Sequence, residues 1–230
     1  MDAHPATVIT TLIDALPGGA RVLDLGAGAG TFPYASYPAL DVTAVELRPR
    51  PGSAATASRR LVCASGHELP FRSAVFDLVI AHWLFEHVDD LERTYDEVAR
   101  VVRPGGLLAV AVPNSHSFED RMYRFVSHVY KYVLLHFEKR IEHVQILTFL
   151  SVNDALYRRG FRLLRFAVED GGYCWLEVPQ LRRFRPGILT ALRGLRRLGF
   201  DPFQGANYRL LFHKSAGNAE AGGRYLLESS

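Results

Sequence analysis

Cysteine is scarce in this 230-residue chain: Cys63 and Cys174 are the two present. They lie far apart and form no Cys-x-x-Cys pair, which excludes a disulfide framework and a cysteine zinc site and predicts free thiols in a reducing compartment. Long apolar runs are missing too. No window approaches the roughly 18–20 uninterrupted apolar residues of a membrane span. The opening stretch has no basic n-region and no sustained apolar core, so no export signal is expected. Its Val8, Ile9, Leu12, Ile13 and Leu16 instead share one helical face, which Pro17-Gly18-Gly19 ends. Charge is nearly balanced, with 27 Lys and Arg against 24 Asp and Glu. That allows acidic ligands without demanding nucleic acid. The chain is long enough for one full core and too short for two large ones, so a single cytoplasmic domain is expected.

Short apolar runs alternate with helical patterns. Strands are predicted at 21–25, 41–46, 61–64, 75–81 and 107–112, and two more at 161–168 and 207–212. The runs are nearly continuous in apolar character, as in strands buried on both faces of a parallel sheet. Between the fourth and fifth strands, Asp89 to Val102 opens with acids and closes with arginines, matching the dipole of a helix. A further helix is predicted from Ser151 to Gly160. The 48–60 stretch reads as an exposed loop, and 215–230 as a flexible tail outside a domain spanning 1–214.

The stretch Val22-Leu23-Asp24-Leu25-Gly26-Ala27-Gly28-Ala29-Gly30-Thr31-Phe32 places three alternate glycines directly behind the first strand. A glycine-rich bend from strand to helix lets a ligand approach the backbone without a β-carbon in the way. Glu46, at the end of the second strand, lies twenty positions past Gly26. At about that offset a carboxylate reaches the two ribose hydroxyls of a nucleotide cofactor. Dinucleotides and S-adenosylmethionine (SAM) both use such a clamp. The dinucleotide pattern Gly-x-Gly-x-x-Gly is not met, because Thr31 follows Gly30.

From Arg21 to Asn114 the chain resembles the class I SAM-dependent methyltransferases, small-molecule branch, of the methyltransferase type 11 kind. Asp24, Gly26, Gly28 and Gly30 match the family's acid-x-Gly-x-Gly-x-Gly motif. Leu69-Pro70-Phe71 and Arg103-Pro104-Gly105-Gly106 match its later turns. The resemblance implies a Rossmann-like, doubly wound α/β fold: a mostly parallel seven-stranded sheet, helices on both faces, the last strand antiparallel. It implies that Asp24 and the glycines surround the methionine end of SAM and that Glu46 binds the ribose. Ser65 stands where the family's aspartate receives the adenine amino group. Glu142-His143-Val144 and Gly160-Phe161 resemble the family's C-terminal pattern.

Methyl transfer from a sulfonium needs alignment and exclusion of water, with a base only for weakly acidic hydroxyls. The carboxyl ends of the strands form the mouth of such a sheet. His82, after the fourth strand, is expected to shape it and to line the cofactor. His143, His116 and His82 are the leading candidate bases, with His87 behind them, each weighed against a capping or surface role. The acids beside them, Glu86, Asp89 and Asp90, read as dipole partners of the following helix rather than as metal ligands. No metal is expected.

An aromatic, basic, largely helical insert at about 115–150 reads either as a cover over the acceptor or as core stripes with solvated faces. Residues 181–200 carry six arginines and no acid, with Ile188, Leu192, Leu195 and Leu198 on one helical face. Packing on the sheet, arginines outward, is expected, with peripheral membrane contact as the alternative. The expected function is methyl transfer from SAM to a small molecule, at a hydroxyl oxygen. An NAD-dependent oxidoreductase is the alternative enzyme, but no tyrosine has a lysine four positions later. A catalytically silent SAM-binding partner protein is the third reading. Nucleic-acid acceptors are not expected: there is no Asn-Pro-Pro-aromatic or Asp-Pro-Pro-aromatic signature after the fourth strand, and neither cysteine follows a proline.

Overall fold

A computed structural model describes residues 6–28, 30–49, 60–132, 144–169, 183–198 and 205–216. Its strands are β1 (Arg21–Leu25), β2 (Asp41–Glu46), β3 (Arg60–Cys63), β4 (Phe76–His82), β5 (Val102–Pro113), β6 (Phe161–Glu169) and β7 (Asn207–Lys214). They form one seven-stranded sheet in the order β3-β2-β1-β4-β5-β7-β6. The pairs from β3 across to β5 are parallel. β7 enters antiparallel between β5 and β6. The sheet is thus Rossmann-like and mostly parallel, as the sequence predicts, and β7 lies inside it rather than at its edge.

Both faces are covered, which is why the strands read as continuous apolar runs. On one face α2 (Leu91–Val101) and α4 (Phe149–Arg158) send Tyr95, Val98, Val152 and Leu156 onto Leu23 and Val79. On the other, α1 (Ala6–Asp14) supplies Ile9 and Ile13 against Val22, Leu78 and Ile80. The parity follows from strand geometry, in which successive side chains point to opposite faces.

The connection from β1 to β2 departs from expectation. No α-helix follows the glycine turn; the segment holds only a three-residue 3-10 turn, Tyr34–Ser36. Pro33 and Pro38 bracket it, and proline within a helix lacks an amide donor and clashes with the preceding turn. An aromatic knot does the covering instead. Phe32 meets Tyr34 edge-on at 4.6 Å and Tyr37 at 5.7 Å between ring centroids. Phe32 and Tyr34 are buried with α1.

Smaller corrections have local causes. α4 starts two residues before Ser151, because Thr148 is its N-cap: Ser151 N–H donates to Thr148 Oγ1 at 3.1 Å, and the Thr148 amide donates to Ser151 Oγ at 2.9 Å. That reciprocal box satisfies two donors that a helix start leaves free. β5 begins at Val102, and Arg103-Pro104-Gly105-Gly106 forms an irregularity inside it, between the pairs Phe76–Val102 and Leu78–Leu107. Gly105 has φ +77° there, a left-handed conformation that side chains resist.

Two more helices are described, α3 (Phe118–Tyr132) and α5 (Arg185–Arg197). Leu195 and Leu198, expected on a buried face, are exposed. Phe118 and Phe125, in the insert expected to cover the acceptor or pack as core stripes, are exposed as well. No described helix is long and apolar enough to cross a membrane.

Candidate functional site

The glycine turn lies where β1 and β2 end side by side, Leu25 paired with Val45. Gly26, Gly28 and Gly30 all have positive φ, at +72°, +51° and +103°. A β-carbon on Gly26 would also come 2.7 Å from Leu84 Cδ1. The turn after β1 and the turn after β4 therefore pack together, and only a residue without a side chain allows that approach. Above Gly28, by contrast, an added β-carbon would meet nothing within 4 Å.

The described amides of this turn are all in use. Gly26 and Ala27 both donate to the Val45 carbonyl, at 2.9 and 3.0 Å, and Gly30 donates to Ala27 O at 2.6 Å. Gly28 N–H donates to Glu46 Oε2 at 2.9 Å. Thr31 N–H donates to Asp24 Oδ2 at 3.1 Å. A phosphate-binding turn offers its amides and a helix N-terminus to the anion; this one keeps its described amides for itself and has no helix behind it.

Two carboxylates flank the bend. Asp24 is fully buried and accepts from Thr31 Oγ1 at 2.7 Å and from the Tyr34 hydroxyl in a short bond. Burial raises its pKa, the Tyr34 and Thr31 hydrogen bonds oppose that rise, and the Glu46 charge adds to it. Asp24 thus acts from inside the turn, fixing its shape. Glu46 sits half-buried at the end of β2, and its Oε1 accepts weakly from the Arg48 amide at 3.3 Å. That weakly engaged oxygen remains available to hydroxyl donors.

The loop after β3 forms the next wall. Ser65 is half-buried, its Oγ 3.0 Å from His67 Nδ1. When Nδ1 is unprotonated the hydroxyl donates to it, leaving the serine oxygen free to accept from an amino group. α2 braces this loop: Glu97 Oε2 accepts from the Leu69 amide at 2.7 Å, and Arg100 donates to the Phe71 and Leu69 carbonyls at 2.6 and 3.0 Å. Neither brace stands out in the sequence, where Glu97 and Arg100 look like ordinary exposed helix charges.

His82 ends β4, at the mouth. Burial, and then the nearby Arg209 charge, lower its pKa to about 4. A ring held in that range is neutral at pH 7 and a weak acceptor for a hydroxyl proton. Trp83 follows with φ +55°, an uncommon backbone for an aromatic residue and a mark of local strain. Its amide holds the turn by donating to Ala111 O at 2.9 Å. His116, after β5, is exposed, and its amide donates to Asn114 Oδ1 at 3.1 Å. His143 lies outside the described residues. His87 is exposed on the rim, its Nε2 3.9 Å from Glu86 Oε1.

The acids after β4 diverge. Asp90 caps α2, accepting from the Arg93 amide at 3.0 Å, while Glu86 points inward and is 1% exposed. Its Oε2 has no hydrogen-bond partner among the described residues. Burial pushes its pKa up to about 8, a backbone hydrogen bond opposes the rise, and the Asp120 charge adds to it. The Glu86 carbonyl meanwhile accepts from the Val144 and Gln145 amides at 2.8 and 3.2 Å. A buried acid therefore sits where the segment after α3 docks on the mouth.

A raised carboxyl pKa means that the folded state binds the proton more tightly. The resulting stability is fully present below pH 4.5 and is lost as pH rises through about 8. Glu86→Gln, close in shape to the protonated acid, is expected to match the native chain near pH 5 and to melt several degrees higher near pH 9. Thermal melts across that range check this; parallel curves for the two proteins would refute it.

A family model described as a methyltransferase domain, Methyltransf_11, matches residues 23–110. The malonyl-[acyl-carrier protein] O-methyltransferase of Geobacter sulfurreducens is 30% identical over 191 residues, covering 78% of this chain and 66% of the relative. A methyltransferase of Mycobacterium sp. (strain JLS) is 41% identical over 99 residues, 41% of this chain and 39% of the relative. The chain thus spans about two fifths to two thirds of the length of these two relatives. Among solved structures, a Bacillus halodurans protein described as a putative methyltransferase superposes with a TM-score of 0.64 at 19% identity, covering 90% of this chain and 98% of that one.

Proposed function

Because the chain belongs to the class I SAM-dependent methyltransferases, we propose that it transfers the methyl group of SAM to an oxygen of a small-molecule acceptor. The observation that carries this reading is the electrostatics of the glycine turn. Its described amides are internally satisfied and two carboxylates flank it. Such a site repels the pyrophosphate of a dinucleotide and favours a ligand bearing ammonium and sulfonium charge. The residues fit that ligand. Glu46 would hold the ribose, Ser65 the adenine amino group, and the turn shaped by Asp24, Gly26, Gly28 and Gly30 would receive the methionine end. When bound, SAM supplies an electrophilic methyl group.

The chain's own part is to align the acceptor and keep water out. His82 would line the reacting end as a neutral ring. A hydroxyl acceptor would need a base, for which His116 is the described candidate and His143 the one outside the described residues; an oxygen already ionised would need none. The oxygen assignment is supported by the Geobacter relative, named for O-methylation.

Incubation with methyl-labelled SAM and a panel of small hydroxy and carboxylic acids is expected to release S-adenosylhomocysteine (SAH) and label an extractable product. Tight SAM binding with no label in any acceptor would turn the reading to the silent, cofactor-binding partner.

A further inference from the structure

One cationic donor at the mouth has no acceptor among the described residues. Arg209 on β7 is 8% exposed, and its Nε donates to Glu169 Oε2 at 2.9 Å. Its Nη1 is buried without a hydrogen-bond partner among the described residues. A buried donor left unpaired is costly, and more so when charged. An ion pair serving only to join β6 to β7 has no need of it.

Strand register explains where this donor points. His82 is paired with Ala111 and Ala111 with Arg209, so the three form one row at the carboxyl ends of β4 and β5. Residues paired across a sheet emerge on the same face. His82 and Arg209 therefore share a face, separated by the single methyl group of Ala111. The Arg209 guanidinium carbon lies 5.6 Å from the Trp83 ring centroid, within cation–π range.

We propose that Arg209 Nη1 is the anchor for a carboxylate on the acceptor, the Trp83 ring moving aside to admit it. The proposal rests on the reading of this end of the sheet as the acceptor mouth. Glu169 already takes Nε, which leaves an edge of the guanidinium rather than the full fork. It also brings the pair close to net neutrality. One free nitrogen with its two N–H groups and no spare positive charge suit a monoanion, not a phosphate dianion with its three strong acceptor oxygens. The neutral His82 ring beside the site neither repels Arg209 nor competes for the carboxylate as a second cation.

The test is calorimetric, on SAH-loaded protein, with benzoate, phenylacetate and 4-hydroxyphenylacetate as probes against their primary amides. At least one acid is expected to bind tenfold or more tightly than its amide. That preference should fall close to one in the Arg209→Gln/Glu169→Gln double variant, which leaves no unpaired buried charge. Should the double variant fail to fold, Arg209→Lys replaces it. Its compact ammonium keeps the charge and loses the guanidinium edge, and the preference is expected to drop at least threefold. Equal binding of acid and amide in all three pairs, or a preference unchanged in whichever variant folds, would overturn the proposal. Inorganic phosphate binding more tightly than every acid would replace the ligand class and overturn it as well. If the protein fails to bind SAH, the cofactor reading falls by itself, and the same titrations on SAH-free protein still decide the role of Arg209.

Discussion

Glu46→Ala is expected to abolish the rise in melting temperature that SAM and SAH produce, while NAD shifts neither protein. A carboxylate that accepts from two ribose hydroxyls makes two charge-assisted hydrogen bonds. Hydrogen bonds to charged groups contribute about 1.5–3 kcal/mol each, and each 1.4 kcal/mol is about a tenfold change in affinity. A loss of at least about 100-fold in SAM affinity follows, which removes the thermal shift at ligand concentrations that stabilise the native chain. Glu46 also accepts from the Gly28 amide, so part of any effect could come from a loosened turn. Glu46→Gln separates the two roles. It retains an acceptor for the Gly28 amide and loses the charge, so the unliganded melt should stay near that of the native chain while affinity still falls about tenfold, as one charge-assisted bond weakens. Native-like SAM affinity in Glu46→Ala, or an NAD shift equal to that of SAM, would reverse the assignment of the cofactor.

Asp24→Ala is expected to damage the fold itself. The side chain accepts from the Thr31 amide, the Thr31 hydroxyl and the Tyr34 hydroxyl, wholly out of contact with solvent. Truncation would leave these donors unpaired in the interior. At about 1–3 kcal/mol for each unsatisfied donor, a loss of roughly 3–5 kcal/mol is expected, a large share of the about 5–15 kcal/mol by which folded domains are stable. Asp24→Asn should cost much less. Its oxygen can accept from the Thr31 amide, and its amide group can donate to a hydroxyl rotated to accept. It also removes a buried charge whose pKa is raised chiefly by desolvation. Urea unfolding of both variants measures the difference; equal losses would show that volume, not hydrogen bonding, sets the role of Asp24. SAM affinity measured on the folded fraction of the Asn variant should change little, because Asp24 shapes the turn from within and, on the proposed function, Glu46 would make the direct contact.

These two acids also show how much of the site was legible. Glu46 was readable because its distance from Gly26 reflects a repeating unit, strand, crossover and strand, whose geometry is nearly fixed. The glycines were readable because positive φ and close approach to Leu84 both exclude side chains. The division of labour between the acids was not: the family resemblance groups Asp24 with the glycines around the cofactor, and only the structure adds its partners Thr31 and Tyr34 within the turn. The missing helix after β1 was hidden in the same way. Glycine-rich turns commonly precede helices, and here Pro33, Pro38 and three aromatic rings override that tendency through packing.

The sequence by itself determined the positions of the strands in the first half and the methyltransferase family, because local apolar runs and short-range spacing carry that information. Only the tertiary structure decided which charges lie beside His82. Arg209 is 127 positions from His82 in the chain and reaches it through two strand pairings, a proximity that no local pattern records. The same holds for the titration of His82 and Glu86. Their pKa values are set by burial and by Arg209 and Asp120, which arrive from distant elements, since the desolvation that shifts an ionisable group exists only once the chain has closed around it.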